Sequence, residues 1–278
     1  MSTPMLSDTA KTISLGGVLT HFEGAADDPY FLELQANAGG LETLRALVSR
    51  HIPRDAIVVD VGAHIGVSAI MLRRLAQRVI AFEPSPPNAE FLHRNLALNG
   101  ITNVEPITMA ISSDRETLQF HVAQFSAGSH VMSAGDLSRG APMIEVPAIP
   151  LDQVELPPIS FIKIDAEGHE PEVLAGARQL MMRDRPLILM EINIWCLTAY
   201  ADHNPGALIR QLWDRFDVWA PTADGDLIPL DSGLIFLHRT ITETRGGGEI
   251  VLRPRLGAEM PTLPELSWPA AAIAALRP

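Results

Sequence analysis

The sequence predicts an α/β protein built on a doubly wound sheet, and three observations predict it. Between residues 56 and 237, short aliphatic runs alternate with stretches of helical period, as βαβ units require. Several of those runs are apolar on both faces, as strands are when helices cover both sides of a parallel sheet. Three of them run into an acidic residue and then a glycine- or proline-bearing turn, at the strand ends where such sheets bind ligands. At 278 residues the chain is long enough for one large domain of this kind.

In order, the expected strands are 56–61, 78–83, 104–110, 159–164, 186–192, 216–220 and 234–238. A helix over 66–77 follows the first strand, and another over 87–98 runs to the Asn99-Gly100 stop. The clearest helix is 170–182, where Val173, Leu174, Ala177, Leu180 and Met181 share one face and Pro171 suits the first turn. A fourth helix covers 205–215. Strand-like runs at 117–122 and 143–149 break the alternation and read as an inserted β-hairpin, joined by a Ser- and Gly-bearing tip over 124–140. Upstream, Gly39-Gly40 precedes a helix-like run over 41–49 that would sit as a lid over the end of the first strand. The chain thus divides into an N-terminal extension or lid (1–55), a catalytic domain (56–240, insert about 116–149) and a C-terminal tail (241–278) with no motif.

Composition excludes several classes of function. The 33 acidic against 21 basic side chains give a formal net charge of −12, the wrong sign for broad contact with a phosphate backbone, so no nucleic-acid partner is expected. The lone Cys196 excludes an internal disulfide framework and a multi-thiolate zinc site, and fits a reducing, cytoplasmic setting. The most apolar stretch, 186–197, is broken by Glu191 and Asn193, so no membrane span is expected. Residues 1–10 lack the pattern of a secretory leader and read as a retained, frayed start. A homo-oligomer is compatible with the sequence, although no coiled-coil pattern requires one.

The first chemical motif is Asp60-Val61-Gly62-Ala63-His64-Ile65-Gly66. Gly62 permits a tight turn, and the small Ala63 and Gly66 allow a ligand and a helix N-terminus to approach. The spacing is not that of dinucleotide-binding glycines, and Asp60 suits a ligand bearing positive charge. His64 either touches ligand or merely packs. The second motif, Phe82-Glu83-Pro84, ends the next strand on a carboxylate placed to accept from both hydroxyls of a ribose.

The third motif, 162–170, places Asp165, Glu167 and His169 in one short turn. Three titratable groups together at a strand end are costly unless solvated, paired or functional. His169 is either a general base, oriented by Asp165 or Glu167, or simply a cap on the following helix. Glu191, at the end of the fifth strand, would lie beside this cluster. Asp165, Glu167 and Glu191 would alternatively hold a divalent cation such as Mg²⁺, which prefers hard oxygen ligands.

Together these three collinear motifs, with Val173-Leu174 and Gly176-Ala177 after them, resemble the FkbM family of S-adenosylmethionine-dependent methyltransferases over residues 56–192. The resemblance implies a class I methyltransferase (Rossmann-like) sheet, with six parallel strands and an antiparallel last one. It implies that Asp60, Gly62, Ala63 and Gly66, with His64 beside them, line the cofactor's methionine end, where Asp165 also approaches. Glu83 and Pro84 would meet the ribose, and Ala110 and Ile111 would flank adenine. The implied reaction is O-methylation of a small-molecule, sugar or natural-product hydroxyl. Two other readings stay open at this point: a nicotinamide-dependent oxidoreductase on the same sheet, and a cofactor-binding domain without chemistry.

Overall fold

The computed structural model describes residues 8–123, 126–132, 143–201, 203–244, 246–262 and 265. Most of the expected insert tip, the first seven residues and the Ala-rich end of the tail lie outside them. The N-terminal segment forms a hairpin of β1 (Asp8–Leu15) and β2 (Val18–Ala25), followed by α1 (Pro29–Leu32), α2 (Leu34–Gly39) and α3 (Leu41–His51). Then come β3 (Ile57–Val61), α4 (Val67–Leu72), β4 (Arg78–Phe82), α5 (Pro86–Leu98) and β5 (Val104–Ile107). The insert contributes β6 (Ala110–Ile111), β7 (Glu116–His121), β8 (His130–Val131) and β9 (Met143–Ile149) to a separate small sheet, in the order β6-β9-β7-β8. The chain returns through β10 (Phe161–Ile164), α6 (Glu170–Gly176), α7 (Arg178–Asp184), β11 (Leu187–Asn193) and α8 (Pro205–Arg215). It finishes with β12 (Phe216–Pro221), β13 (Leu227–Pro229), α9 (Gly233–Glu243) and β14 (Gly247–Pro254).

The central sheet runs β13-β12-β14-β11-β10-β3-β4-β5. From β5 to β11 all neighbours are parallel, and β14 then lies antiparallel to both β11 and β12. Six strands therefore point one way, with one antiparallel strand between β11 and β12 and the edge strand β13 added. Alternate residues of the central strands feed two cores. Val58, Val79, Phe161 and Leu187 face the side covered by α3 to α5, while Val59, Ile80, Ile162 and Ile188 face α6 to α8. Burying such a side chain stabilises the fold by roughly 1.5–3 kcal/mol.

Two expectations need correction. Residues 234–238 are helical, inside α9: the Ser232 hydroxyl accepts from the Ile235 N–H, and Phe236 packs against Trp213 at a ring separation of 5.6 Å. The antiparallel strand is instead β14, whose Ile250, Val251 and Leu252 are fully buried, so the sheet extends past the expected domain boundary at 240. The expected helix over 170–182 is also divided at Ala177. Gly176 packs so tightly that a Cβ there would lie 2.0 Å from the Ser112 carbonyl oxygen, and the Asp152 carboxylate accepts from the N–H groups of Gln179 and Leu180 to start α7 afresh.

The N-terminal hairpin is tied to the domain by side chains that imitate a strand edge. Asn95 on α5 and Asn99 at its C-cap each bond both to a backbone N–H and to a backbone carbonyl of β2, at Glu23 and His21 respectively. Arg94 adds an ion pair to Glu23.

Candidate active site

Strand order reverses between β3 and β10, and the carboxyl ends of these two strands form the crevice where an open α/β sheet binds its ligand. Gly62 makes the close approach. Its φ is +79°, and a Cβ there would lie 1.8 Å from the carbonyl oxygen of Asp165. The N–H groups of Gly62 and Ala63 both donate to the Phe82 carbonyl at 3.0 Å, fixing the turn to the end of β4. His64 adopts φ 53° and donates its N–H to Glu83 Oε2 at 2.8 Å, while its ring meets Tyr30 edge to face at 4.6 Å. Burial lowers the His64 pKa to about 4, so the ring is neutral near pH 7. Gly66, at φ +96°, begins α4 against Leu92, outside the cleft wall.

Glu83 is almost fully buried. Its other oxygen, Oε1, accepts from the Ser85 N–H at 2.8 Å. Burial raises its pKa to about 7, against the lowering effect of these backbone bonds.

Lys163 sits opposite Asp60 in the β10–β3 register, on the face shared by Val58 and Phe161. Its Nζ lies 3.6 Å from Asp60 Oδ1 and donates to Asp165 Oδ2 at 3.0 Å. Asp60 is wholly buried, with Ser68 Oγ donating to its Oδ2 at 2.6 Å. Asp60, expected at the cofactor end, is instead wholly buried beside Lys163, because β3 turns its side chain to the same face as Val58. Burial alone would raise Asp165, but the charge and hydrogen bond of Lys163 hold it below the ordinary carboxylate range.

At the ends of β10 and β11 the structure brings Asp165, Glu167 and Glu191 together, with ligand oxygens within 4.8 Å of one another. The turn that carries them is shaped by Glu170, whose carboxylate accepts from the N–H groups of Ala166 and Gly168. Glu167 takes φ 51°, and Cys196 donates its thiol proton to Glu167 Oε2 at 3.1 Å. Burial, reinforced by Asp165, raises the Glu167 pKa to about 8; burial and the neighbouring carboxylates push Glu191 well above the usual range. Such a cluster holds protons that isolated carboxylates would release, and its oxygen set suits a hard divalent cation.

His169 stands at the N-cap position of α6, yet its side chain does not cap the helix. The ring turns inward, with Nε2 3.2 Å from Ser112 Oγ and Nδ1 3.4 Å from Glu172 Oε2. Glu172 in turn meets His203 Nε2 at 2.8 Å. Its orienting carboxylate is therefore Glu172 rather than Asp165 or Glu167, since residue 172 lies one helical turn on from 169. Burial lowers the His169 pKa.

Gly62, Ala63, His64, Glu83, Lys163, Asp165, Glu167 and His169 line one cleft. Pro84, Ala110 and Ile111 are on its wall, as are Tyr30 and Leu41 from the N-terminal segment. The wall fits a cationic nucleoside ligand: a small-residue turn, a carboxylate for ribose hydroxyls, apolar Ala110 and Ile111 for a base, and an ionised Asp165. Three participants were not assigned from sequence. Lys163 had a signal, a lone charge within an apolar strand, and Glu172 had another, its i,i+3 spacing from His169, whereas Tyr30 had none because its partner His64 lies 34 residues on.

The sequence model described as the methyltransferase FkbM domain matches residues 60–200. Among curated proteins, the chain is 27% identical over 160 residues to methyltransferase sdnD of Sordaria araneosa, covering 45% of this chain and 62% of that protein. It is 30% identical over 142 residues to the hexuronic acid methyltransferase AglP of Haloferax volcanii, covering 49% of this chain and 56% of the relative. The chain thus spans less than two thirds of the length of these relatives. A solved structure of a methyltransferase FkbM from Methylobacillus flagellatus KT aligns with a TM-score of 0.40 and 16% identity, over 72% of this chain and 44% of that one.

Proposed function

The chain belongs to the FkbM methyltransferase family, and from that premise we propose that it is an S-adenosylmethionine-dependent O-methyltransferase acting on a hydroxyl of a small molecule, sugar or natural-product scaffold. One observation carries the reading: the Gly62 turn and the Glu83 carboxylate face the same cleft as Asp165 and Glu167. The name of one relative, a hexuronic acid methyltransferase, supports a sugar acceptor.

S-adenosylmethionine would supply an activated methyl group, its S–CH3 bond breaking to leave S-adenosylhomocysteine, and the chain has to align an acceptor hydroxyl with that methyl and take up the hydroxyl proton as the new C–O bond forms. Glu83 would hold the ribose hydroxyls, with Pro84 beside it, and Ala110 and Ile111 would flank the adenine. Gly62 and Ala63 would let the methionine arm approach, with Asp165 kept ionised by Lys163 to attract its positive charge. Glu167 is the proton acceptor the geometry favours: it lines the cleft, and a pKa near 8 lets it gain and lose a proton near neutrality. His169 is the alternative base, but both its ring nitrogens already face protein partners.

A second reading adds a divalent cation on Asp165, Glu167 and Glu191, favoured by their convergence. Activity lost on exhaustive chelation and restored by Mg²⁺ would establish it; unchanged activity would exclude it. The main reading is tested by incubating the full chain with S-adenosylmethionine and a panel of sugar and phenolic hydroxyl compounds, then seeking methylated product by mass spectrometry. O-methylated product is expected, and it should disappear in Glu167→Gln.

A further inference from the structure

We propose that Tyr30, supplied by the N-terminal segment, forms with His64 an aromatic wall that recognises the positive charge on the methionine arm of S-adenosylmethionine. The inference rests on the methyl-donor reading above and adds a binding residue from outside the family-matched segment 60–200.

Tyr30 is held in place from several sides. Pro29 opens α1, and the Asp28 carboxylate accepts the Tyr30 N–H at 3.1 Å. Asn37 donates its side-chain amide to the Tyr30 carbonyl at 3.0 Å. Next along the helix, Phe31 is fully buried in a seat that exists only because Gly24 has no side chain: a Cβ there would lie 2.4 Å from the Phe31 ring. Anchored by Phe31, α1 presents Tyr30 to the cleft, where its ring meets the His64 ring edge to face at 4.6 Å.

The surroundings suit a cation. Aromatic faces attract positive charge through their quadrupole. The His64 ring is neutral near pH 7 and adds no repulsion, and the Tyr30 hydroxyl, raised to about 12 chiefly by burial, stays protonated. After burial, the hydroxyl feels Lys163 most strongly and then the carboxylates Asp165, Asp28 and Asp60. S-adenosylmethionine carries a positive sulfur, whereas S-adenosylhomocysteine carries a neutral one on the same skeleton. A wall of this kind therefore favours the donor over the spent product and biases the site towards product release.

Calorimetric titration of the full chain with each ligand tests this. Tyr30→Leu, which keeps apolar bulk and removes the ring face, is expected to weaken S-adenosylmethionine about tenfold while weakening S-adenosylhomocysteine less than about twofold. Tyr30→Phe, which keeps the ring, should retain the preference for the charged ligand. Should Tyr30→Leu prove unstable, His64→Asn gives the same comparison, because Asn tolerates the left-handed backbone at that position. Equal weakening of both ligands, or no weakening of either, overturns the proposal. Absence of binding to the unmodified chain overturns the methyl-donor reading itself, an outcome distinct from a wild type that binds and variants whose ligand preference is unchanged.

Discussion

The two halves of the cleft are built on opposite principles. At the ends of β3 and β4 the polar groups are satisfied locally by backbone: Gly62 and Ala63 donate to Phe82, and Glu83 accepts from His64 and Ser85. At the ends of β10 and β11, by contrast, Asp165, Glu167 and Glu191 crowd one another and compete for protons. The first half is a rigid mould suited to a constant ligand. The second is electrostatically frustrated and suited to moving a proton, and Lys163, set between Asp60 and Asp165, links the two.

Lys163→Met should break that link most severely, because it leaves Asp60 buried without its cation. A loss of about 3–5 kcal/mol in urea-denaturation stability is expected, and adding Asp60→Asn should recover much of it. If the single variant were as stable as the wild type, the ion pair would not join the halves.

Glu167→Gln sharpens the contrast from the proton-handling side. It should lower turnover by about 10²–10³-fold while leaving affinity for S-adenosylmethionine within about threefold. A base must be deprotonated to act, so wild-type turnover should fall as pH drops below about 8, and this limb should vanish in the variant. Glu83→Gln should do the reverse: about tenfold weaker cofactor binding, read by calorimetry, with little change in the turnover of saturated enzyme.

A further prediction concerns stability and pH. Glu83, Glu167 and Glu170 hold their protons more tightly when folded, with pKa values raised from 4.5 to about 7, about 8 and about 7. The folded chain therefore binds more protons than the unfolded one, and this contribution, full below about pH 4.5, is lost as pH rises through 7 to 8. The ligand-free protein should melt at a lower temperature at pH 8.5 than at pH 6. A flat profile would mean that these carboxylates are solvated.

The same contrast explains what was legible in the sequence. The β3 and β4 motifs announce themselves because their chemistry is local: a glycine that must take positive φ, and a carboxylate placed where the strand ends. The β10 turn was visible as a cluster, but its long-range wiring was not. The His169–Glu172 pair is one helical turn and was readable, but Glu172 is also joined to His203 31 residues on, and Lys163 faces Asp60 across 103 residues, long-range pairings that only the folded chain creates. The misplaced last strand has a similar cause. The run at 234–238 is rich in strand-forming residues, yet Ser232 caps it as a helix, whereas β14 hides behind three glycine-region positions that resemble a turn.

The account stands most directly on what the β3–β4 mould binds. Calorimetric titration of the folded full chain with S-adenosylmethionine and, separately, with NADH should give saturable binding at one site per chain for the first and none for the second. Binding of NADH, or no heat with S-adenosylmethionine from a chain shown by circular dichroism to be folded, would contradict it.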